Sequence, residues 1–191
     1  MIKSLKKEKR GKDGGFSLVE SLVAISIFSI AVLTLLLSLG KGLSDTGYVK
    51  AKLTAEYLAA EGIEYIRNLR DTYVLYSPGN WNSFVGQLGP CIPANGCRFD
   101  AESIDFEDPD WPIRNMVITA CGGTCLELKY DSNSGKYNYS SGVDSGFVRK
   151  IRMETVPGSS DEKKISSTVS WTQNSGAYSV TFSENLYDWV E

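Results

Sequence analysis

The chain has 191 residues, of which 42% are hydrophobic and 23% are charged, and it contains no histidine. This length is typical of one modest domain with an appended segment. The lack of histidine excludes Ser-His-Asp and Cys-His catalytic sites and histidine metal ligands. There is also no phosphate-binding P-loop and no dinucleotide-binding glycine motif, so the sequence predicts neither an enzyme nor a cofactor.

The charges are divided unevenly along the chain. Residues 1–15 contain six basic and two acidic residues, a net charge of +4, whereas the remainder contains 14 basic and 21 acidic residues, a net charge of −7. A basic flank beside an apolar span stays in the cytoplasm by the positive-inside rule. The sequence therefore predicts that the N-terminus lies inside the cell and the acidic remainder outside.

An apolar segment follows the basic residues directly. Residues 16–39 contain only one charged residue, Glu20. About 20 apolar residues are enough to cross a bilayer as a helix, so we predict a transmembrane and assembly helix over residues 16–40. A secretory signal peptide cleaved near Ser38-Leu39-Gly40 is the alternative, but the apolar run is longer than a usual signal core.

The helical pattern continues beyond this segment. Small and apolar residues from Ala51 to Leu69 recur at steps of three and four, which indicates one apolar stripe. We therefore expect one helix from Phe16 to about Arg70, with residues 41–72 as its amphipathic continuation. Three glycines make residues 39–47 its weakest part, because each costs about 1 kcal/mol relative to alanine.

The rest of the chain, residues 73–191, is predicted to form an extracytoplasmic globular domain. Residues 73–112 are rich in proline and glycine and are predicted as loop. From Leu126 onwards, two-residue alternation and short turns predict antiparallel strands with one buried face. The predicted fold class is α+β, a long N-terminal helix packed on a C-terminal antiparallel β-sheet.

Four cysteines lie in this domain, namely Cys91, Cys97, Cys121 and Cys125. An even number in an exported domain favours two disulfides over a four-thiolate zinc site, whose usual two-residue spacing is absent. The short separations favour the local pairs Cys91–Cys97 and Cys121–Cys125, and crossed pairing stays open.

Three further clusters of residues can each be interpreted as purely structural or as a binding site. Six acidic residues between Asp100 and Asp110 match no calcium loop and are expected to form a solvated acidic loop. Five basic residues could attract DNA, but in an acidic domain we expect a solvated sheet face and no nucleic-acid partner. They are Arg149, Lys150, Arg152, Lys163 and Lys164. We expect strand packing to account for Tyr130, Tyr137 and Tyr139, and the alternative is that these tyrosines form a contact surface.

The segment Gly15-Phe16-Ser17-Leu18-Val19-Glu20 resembles the signal of type IV prepilins and pseudopilins. The resemblance implies a pilin-like fold, a basic leader over residues 1–15, cleavage between Gly15 and Phe16 by a membrane peptidase, and N-methylation of Phe16. A glycine suits this position because a peptidase can approach its backbone closely. The later Ala59-Ala60-Glu61-Gly62-Ile63-Glu64 is similar to PilV-like minor pilins.

Glu20 is the residue of the motif with the clearest physical requirement. A carboxylate at the centre of a membrane span costs about 2.5–3.5 kcal/mol, and a new positive amine at Phe16 of the same or a neighbouring chain would relieve that cost. A local alternative is a capping box formed by Ser17 and Glu20. We therefore predict an assembly role for Glu20.

The resemblance also implies partners and a location. The partners are other pilin subunits, the prepilin peptidase, inner-membrane lipid and the pilus assembly machinery. The protein is expected to span the inner membrane once and then to enter a pilus filament at the cell surface. The alternatives are a pseudopilin of a type II secretion or competence system, and a membrane-tethered binding protein that never polymerises.

Overall fold

The computed structural model describes residues 15, 17–75, 80–101 and 116–188, without the side chain of Ser44. The chain divides into two units, Met1–Gly47 and Tyr48–Glu191. Helix α1 (Leu18–Leu75) contributes to both. It ends five residues later than predicted because the apolar stripe continues through Tyr73, which is buried.

The first unit consists of the apolar part of α1. This helix is long and apolar enough to cross a membrane, with a mean hydropathy of 2.7 over its most apolar stretch. Its polar side chains do not disturb that character, because the hydroxyls of Ser26, Ser29 and Thr34 donate to backbone carbonyls one turn earlier at 2.8–2.9 Å. Such back-bonding satisfies a hydroxyl where no water is available.

In the second unit, α1 packs against an antiparallel sheet. The described strands are β1 (Cys97–Phe99), β2 (Ile118–Ala120), β3 (Glu127–Asp131), β4 (Lys136–Asn138), β5 (Val143–Thr155), β6 (Glu162–Gln173) and β7 (Gly176–Tyr187). Strand β5 is central, with β6 and then β7 on one edge. On its other edge β5 pairs with β1 and β3, which continue to β2 and β4. The predicted α+β fold class is confirmed.

The predicted stripe of α1 faces this sheet. Ala55, Leu58, Ile66 and Leu69 are all buried, as their three- and four-residue spacing requires. Gly62 lies in the same stripe at the closest approach to β6, where an alanine Cβ would overlap Ser167 Oγ. The absence of a side chain at Gly62 therefore sets how closely the helix approaches the sheet.

The loop prediction for residues 73–112 is wrong in part. A short helix α2 (Trp81–Gln87) forms there, and a 3-10 turn follows over Gly89–Cys91. Asn80 caps α2 by accepting the Ser83 amide at 2.9 Å, and Trp81 and Phe84 are buried. Capping and these two anchors stabilise a helix that is too short for its sequence period to be recognised.

The basic residues of β5 and β6 do not all lie on a solvated face, so that prediction is also wrong in part. Arg149 is only 2% exposed and Lys163 only 8%. Arg149 occupies an inward position of β5, in alternation with Phe147 and Ile151. Its guanidinium lies 2.8 Å from Glu61 and 4.7 Å from the centre of the Phe99 ring. The alternation of the strand, and not the charge of the residue, determined the side on which it lies.

Both disulfides join cysteines that are close in sequence. Cys91 is bonded to Cys97 and Cys121 to Cys125, with Cα separations of 4.5 and 4.8 Å. This confirms the local pairing and leaves no thiol for zinc. Of the acidic loop residues, Asp100 accepts the Tyr139 amide at 3.2 Å, and the other five lie outside the described residues.

Candidate functional site

The predicted processing segment lies immediately before α1. The amide of Ser21 donates to the Ser17 carbonyl at 3.1 Å, and this bond closes the first turn of the helix. Gly15 therefore precedes the helix, is exposed, and has no atom within 4 Å of the position a Cβ would take. Phe16 lies outside the described residues. A backbone outside regular structure and without neighbouring side chains is open to a peptidase.

Glu20 lies in the first turn of α1. Its side chain is exposed, and it has no hydrogen bond or ion pair with any residue that the structure describes. A negative charge in the first turn interacts favourably with the helix dipole by about 0.3–1 kcal/mol. That gain is smaller than the cost of holding a carboxylate in a membrane, so Glu20 retains the capacity to accept a positive partner.

The surface around Glu20 is strongly apolar. Leu18 is 82% exposed and Phe28 70% exposed, and the exposed apolar side chains continue to Leu39. Single exposed apolar residues are ordinary on a soluble protein, but a continuous apolar surface marks contact with lipid or with other protein. The arrangement can therefore insert in a bilayer and can pack against similar helices.

The other predicted site residues lie elsewhere. The four cysteines belong to the second unit, where they fix short loops beside β1 and β2. The sequence did not indicate the contact between Glu61 and Arg149, which joins α1 to β5. The two-residue alternation of β5 could have revealed this contact. It places Arg149 on the same side of the strand as Phe147 and Ile151, which are apolar and therefore expected to face the core.

Residues 10–36 match the family model described as the prokaryotic N-terminal methylation motif. No curated protein and no solved structure matches the chain. The matched stretch includes Gly15, Phe16 and Glu20 and the beginning of the membrane-compatible helix. The match covers 27 of the 191 residues, and the helix-then-sheet fold agrees with a similarity to type IV prepilins and pseudopilins.

Proposed function

We propose that the chain is a minor pilin of a type IV pilus. The observation that carries the proposal is the methylation motif at the head of a helix whose apolar surface is exposed over residues 18–39. In this proposal residues 1–15 are the leader, 16–40 the transmembrane and assembly helix, 41–72 its continuation, and 73–191 the exported domain.

Before assembly, the precursor spans the inner membrane once. The leader carries a net charge of +4 and stays in the cytoplasm. The second unit is exported, which agrees with its two disulfides, because disulfides persist in oxidising compartments. Cleavage after Gly15 by the prepilin peptidase removes the basic leader, and N-methylation follows at Phe16.

During assembly, Glu20 pairs with the new N-terminal amine of a neighbouring subunit. Two unit charges 4 Å apart attract by about 4 kcal/mol at an effective dielectric constant near 20. This exceeds the cost of a carboxylate near the end of a membrane span, which is below the value of about 2.5–3.5 kcal/mol that applies at the centre. Pairing therefore offsets the cost only in the assembled state, which favours incorporation over remaining in lipid.

The processing step is tested by mass analysis of protein extracted from membranes. We expect a mature chain that starts with N-methylated Phe16. Gly15→Val should leave the precursor uncut, because a β-branched side chain hinders approach to the backbone, whereas Gly14→Val serves as the control one residue away. A mature chain that starts at Lys41 would instead establish ordinary secretion.

The assembly step is tested with Glu20→Ala. Removal of the charge makes membrane insertion easier, so insertion and cleavage should persist while the variant is lost from sheared filaments. Ser21→Ala alters the next residue without a change of charge and should be incorporated normally. Incorporation of Glu20→Ala at the wild-type level would contradict the charge-pairing proposal.

The second candidate is a pseudopilin of a type II secretion or competence system. The same methylation motif and helix serve that function equally well. Recovery of the protein in sheared surface filaments supports the minor pilin. Recovery only in a short filament below the cell surface supports the pseudopilin.

A further inference from the structure

The second unit contains a cavity of about 1040 Å³ between α1 and the β3–β4 hairpin. We call it the tyrosine groove. Its main lining residues are Lys50, Thr54, Tyr57 and Tyr65 on α1, and Tyr130, Lys136 and Tyr137 on the hairpin. The lining extends from Lys50 to Tyr65 on α1, which is 16 residues and about 22 Å at 1.5 Å per residue. Its volume is at the upper end of the range for ligand sites, and its length suits an elongated ligand.

Four tyrosines line the groove, Tyr57 and Tyr65 on α1 and Tyr130 and Tyr137 on the hairpin. Tyr137 is held by ring contacts to Tyr130 at 5.1 Å and to the buried Phe147 at 6.2 Å. On the opposite wall, Tyr57 is 69% exposed. Burial raises the pKa of Tyr65 and of Tyr137. Strand packing, the simple interpretation of Tyr130 and Tyr137, accounts for their ring contacts but not for the cavity beside them.

The charges in the groove are positive, although the unit as a whole is acidic. Lys50 and Lys136 are exposed, and neither forms an ion pair with a residue that the structure describes. The carboxylate of Glu61, which also lines the groove, is bound by Arg149. Asp131 lies opposite Lys136 in the hairpin and stays ionised, because the Asn133 amide and the Ser134 hydroxyl, which donate to it at 2.9 and 3.1 Å, hold the pKa of its carboxyl below the usual range, but it does not line the groove.

We propose that the tyrosine groove binds an acidic oligosaccharide whose carboxylates are spaced by neutral sugar rings. The C–H faces of the rings stack on the tyrosine faces, which carry the negative side of the aromatic quadrupole. Lys50 and Lys136 attract the carboxylates. A nucleic acid is a poorer match, because it carries a phosphate at every nucleotide and two lysines on an acidic unit neutralise few of them.

The test is calorimetric titration of the full chain in a polyoxyethylene-ether detergent, which has no sugar headgroup to compete. The probes are a hyaluronan hexasaccharide, in which carboxylates alternate with neutral rings, and the uncharged chitohexaose. We expect saturable binding of hyaluronan that weakens with salt, and binding of chitohexaose weaker by about fivefold because both lysine contacts are lost.

Variants assign the binding to the groove. The double variant Lys50→Gln/Lys136→Gln should weaken hyaluronan binding about fivefold, which is the effect of two exposed charge contacts, and should leave chitohexaose binding unchanged. Tyr57→Ala should weaken both by about tenfold, as expected for a lost aromatic stacking contact. The controls are Lys52→Gln on the same helix and Tyr187→Ala, which change exposed residues outside the groove lining.

Three results would overturn the proposal. These are no saturable binding of hyaluronan, equal effects of the groove variants and their controls, and tighter binding of a single-stranded oligothymidylate than of hyaluronan. Each outcome is independent of the proposed assembly function, because the groove lies in the second unit and Gly15 and Glu20 lie in the first.

Discussion

At the residue scale, the contact between Glu61 and Arg149 is a polar link between helix and sheet whose cation is buried. Arg149 is buried and also donates to the Phe99 carbonyl at 3.4 Å, while its guanidinium lies over the Phe99 ring. A buried charge is tolerated only when it is paired and hydrogen-bonded. Because Arg149 is buried, the folded state needs the carboxylate of Glu61 to pair with its guanidinium.

We predict that Glu61→Ala lowers the free energy of unfolding by about 2 kcal/mol. Breaking a fully buried pair costs about 3–5 kcal/mol, and the partial exposure of Glu61 lets water recover some of this. The measurement is urea denaturation followed by tryptophan fluorescence, since Trp81 and Trp171 are both buried.

Glu154→Ala is the matched control for Glu61→Ala. It breaks the pair between Glu154 and Arg152, in which both side chains are about 40% exposed. Such a surface pair contributes about 0.5 kcal/mol or less. Equal effects of the two substitutions would show that burial of Arg149 does not determine the importance of its partner.

Gly62 supports a second prediction at this scale. An alanine Cβ there would overlap the fully buried Ser167 Oγ and would lie 3.0 Å from Ile151 Cδ1. We expect Gly62→Ala to destabilise the second unit by about 1–3 kcal/mol, as overpacking does in other cores. Ser167→Gly in the same chain should recover part of that loss in thermal denaturation.

Gly86→Ala is the control for Gly62→Ala. Gly86 lies in α2 with nothing within 4 Å of its Cβ position, so alanine should be neutral or should stabilise the helix by up to about 1 kcal/mol. A neutral result for Gly62→Ala would mean that the helix can move away from β6 at no cost.

At the element scale, α1 is a continuous helix through its glycine-containing stretch. Neither Gly40 nor Gly42 has any atom within 4 Å of its Cβ position. They are therefore not packing sites within this chain, and their main effect is to lower helix propensity. N-terminal to this stretch, the backbone hydrogen bonds of the helix stabilise it in an apolar environment. C-terminal to it, the apolar stripe that is buried on the sheet stabilises the helix.

We predict that amides over residues 39–47 exchange faster than those over residues 51–69 in the detergent-solubilised chain. Gly40→Ala/Gly42→Ala should slow exchange in this stretch by up to about 30-fold, which corresponds to about 2 kcal/mol. Exchange over residues 51–69 should not change. Equal protection of the two stretches in the unsubstituted chain would contradict a weak segment.

Strand β7 shows how far sequence alternation predicts burial. Tyr178, Val180 and Phe182 alternate as predicted and lie on the side of the sheet that faces α1, but Tyr178 and Phe182 remain about 40% exposed. Strand β7 is the last strand beyond β6, and the helix covers it only in part. The two-residue alternation predicted which side chains of β7 face the helix, but not how completely the helix covers them.

At the scale of the whole molecule, the separation of charge predicts its orientation in the membrane. We expect proteinase K added to spheroplasts to digest the second unit and to spare an epitope tag placed on the N-terminus of an uncleaved Gly15→Val precursor. The basic leader beside the apolar span holds the N-terminus inside. Digestion of the tag in intact spheroplasts would indicate the opposite orientation.

Local residue patterns by themselves determined the membrane-compatible helix, the buried stripe from Ala55 to Leu69 and the long strands β5 to β7, and they favoured the two local disulfides over the crossed pairing that the structure excludes. These features depend on periodicity, on a run of apolar residues and on short separations along the chain, all of which are local properties. The prepilin motif of residues 15–20 is equally local, which is why the family could be recognised without any structure.

Only the tertiary structure decided the burial of Arg149, the close approach at Gly62, the short elements α2, β1 and β2, and the tyrosine groove. The three-residue strands have no usable period, and their pairing depends on partners that are remote in sequence, such as Ile151 for Cys97. The groove joins Lys50 and Tyr57 to Tyr130 and Lys136 across some 80 residues. Such a juxtaposition follows from the packing of α1 on the sheet, which no local pattern encodes.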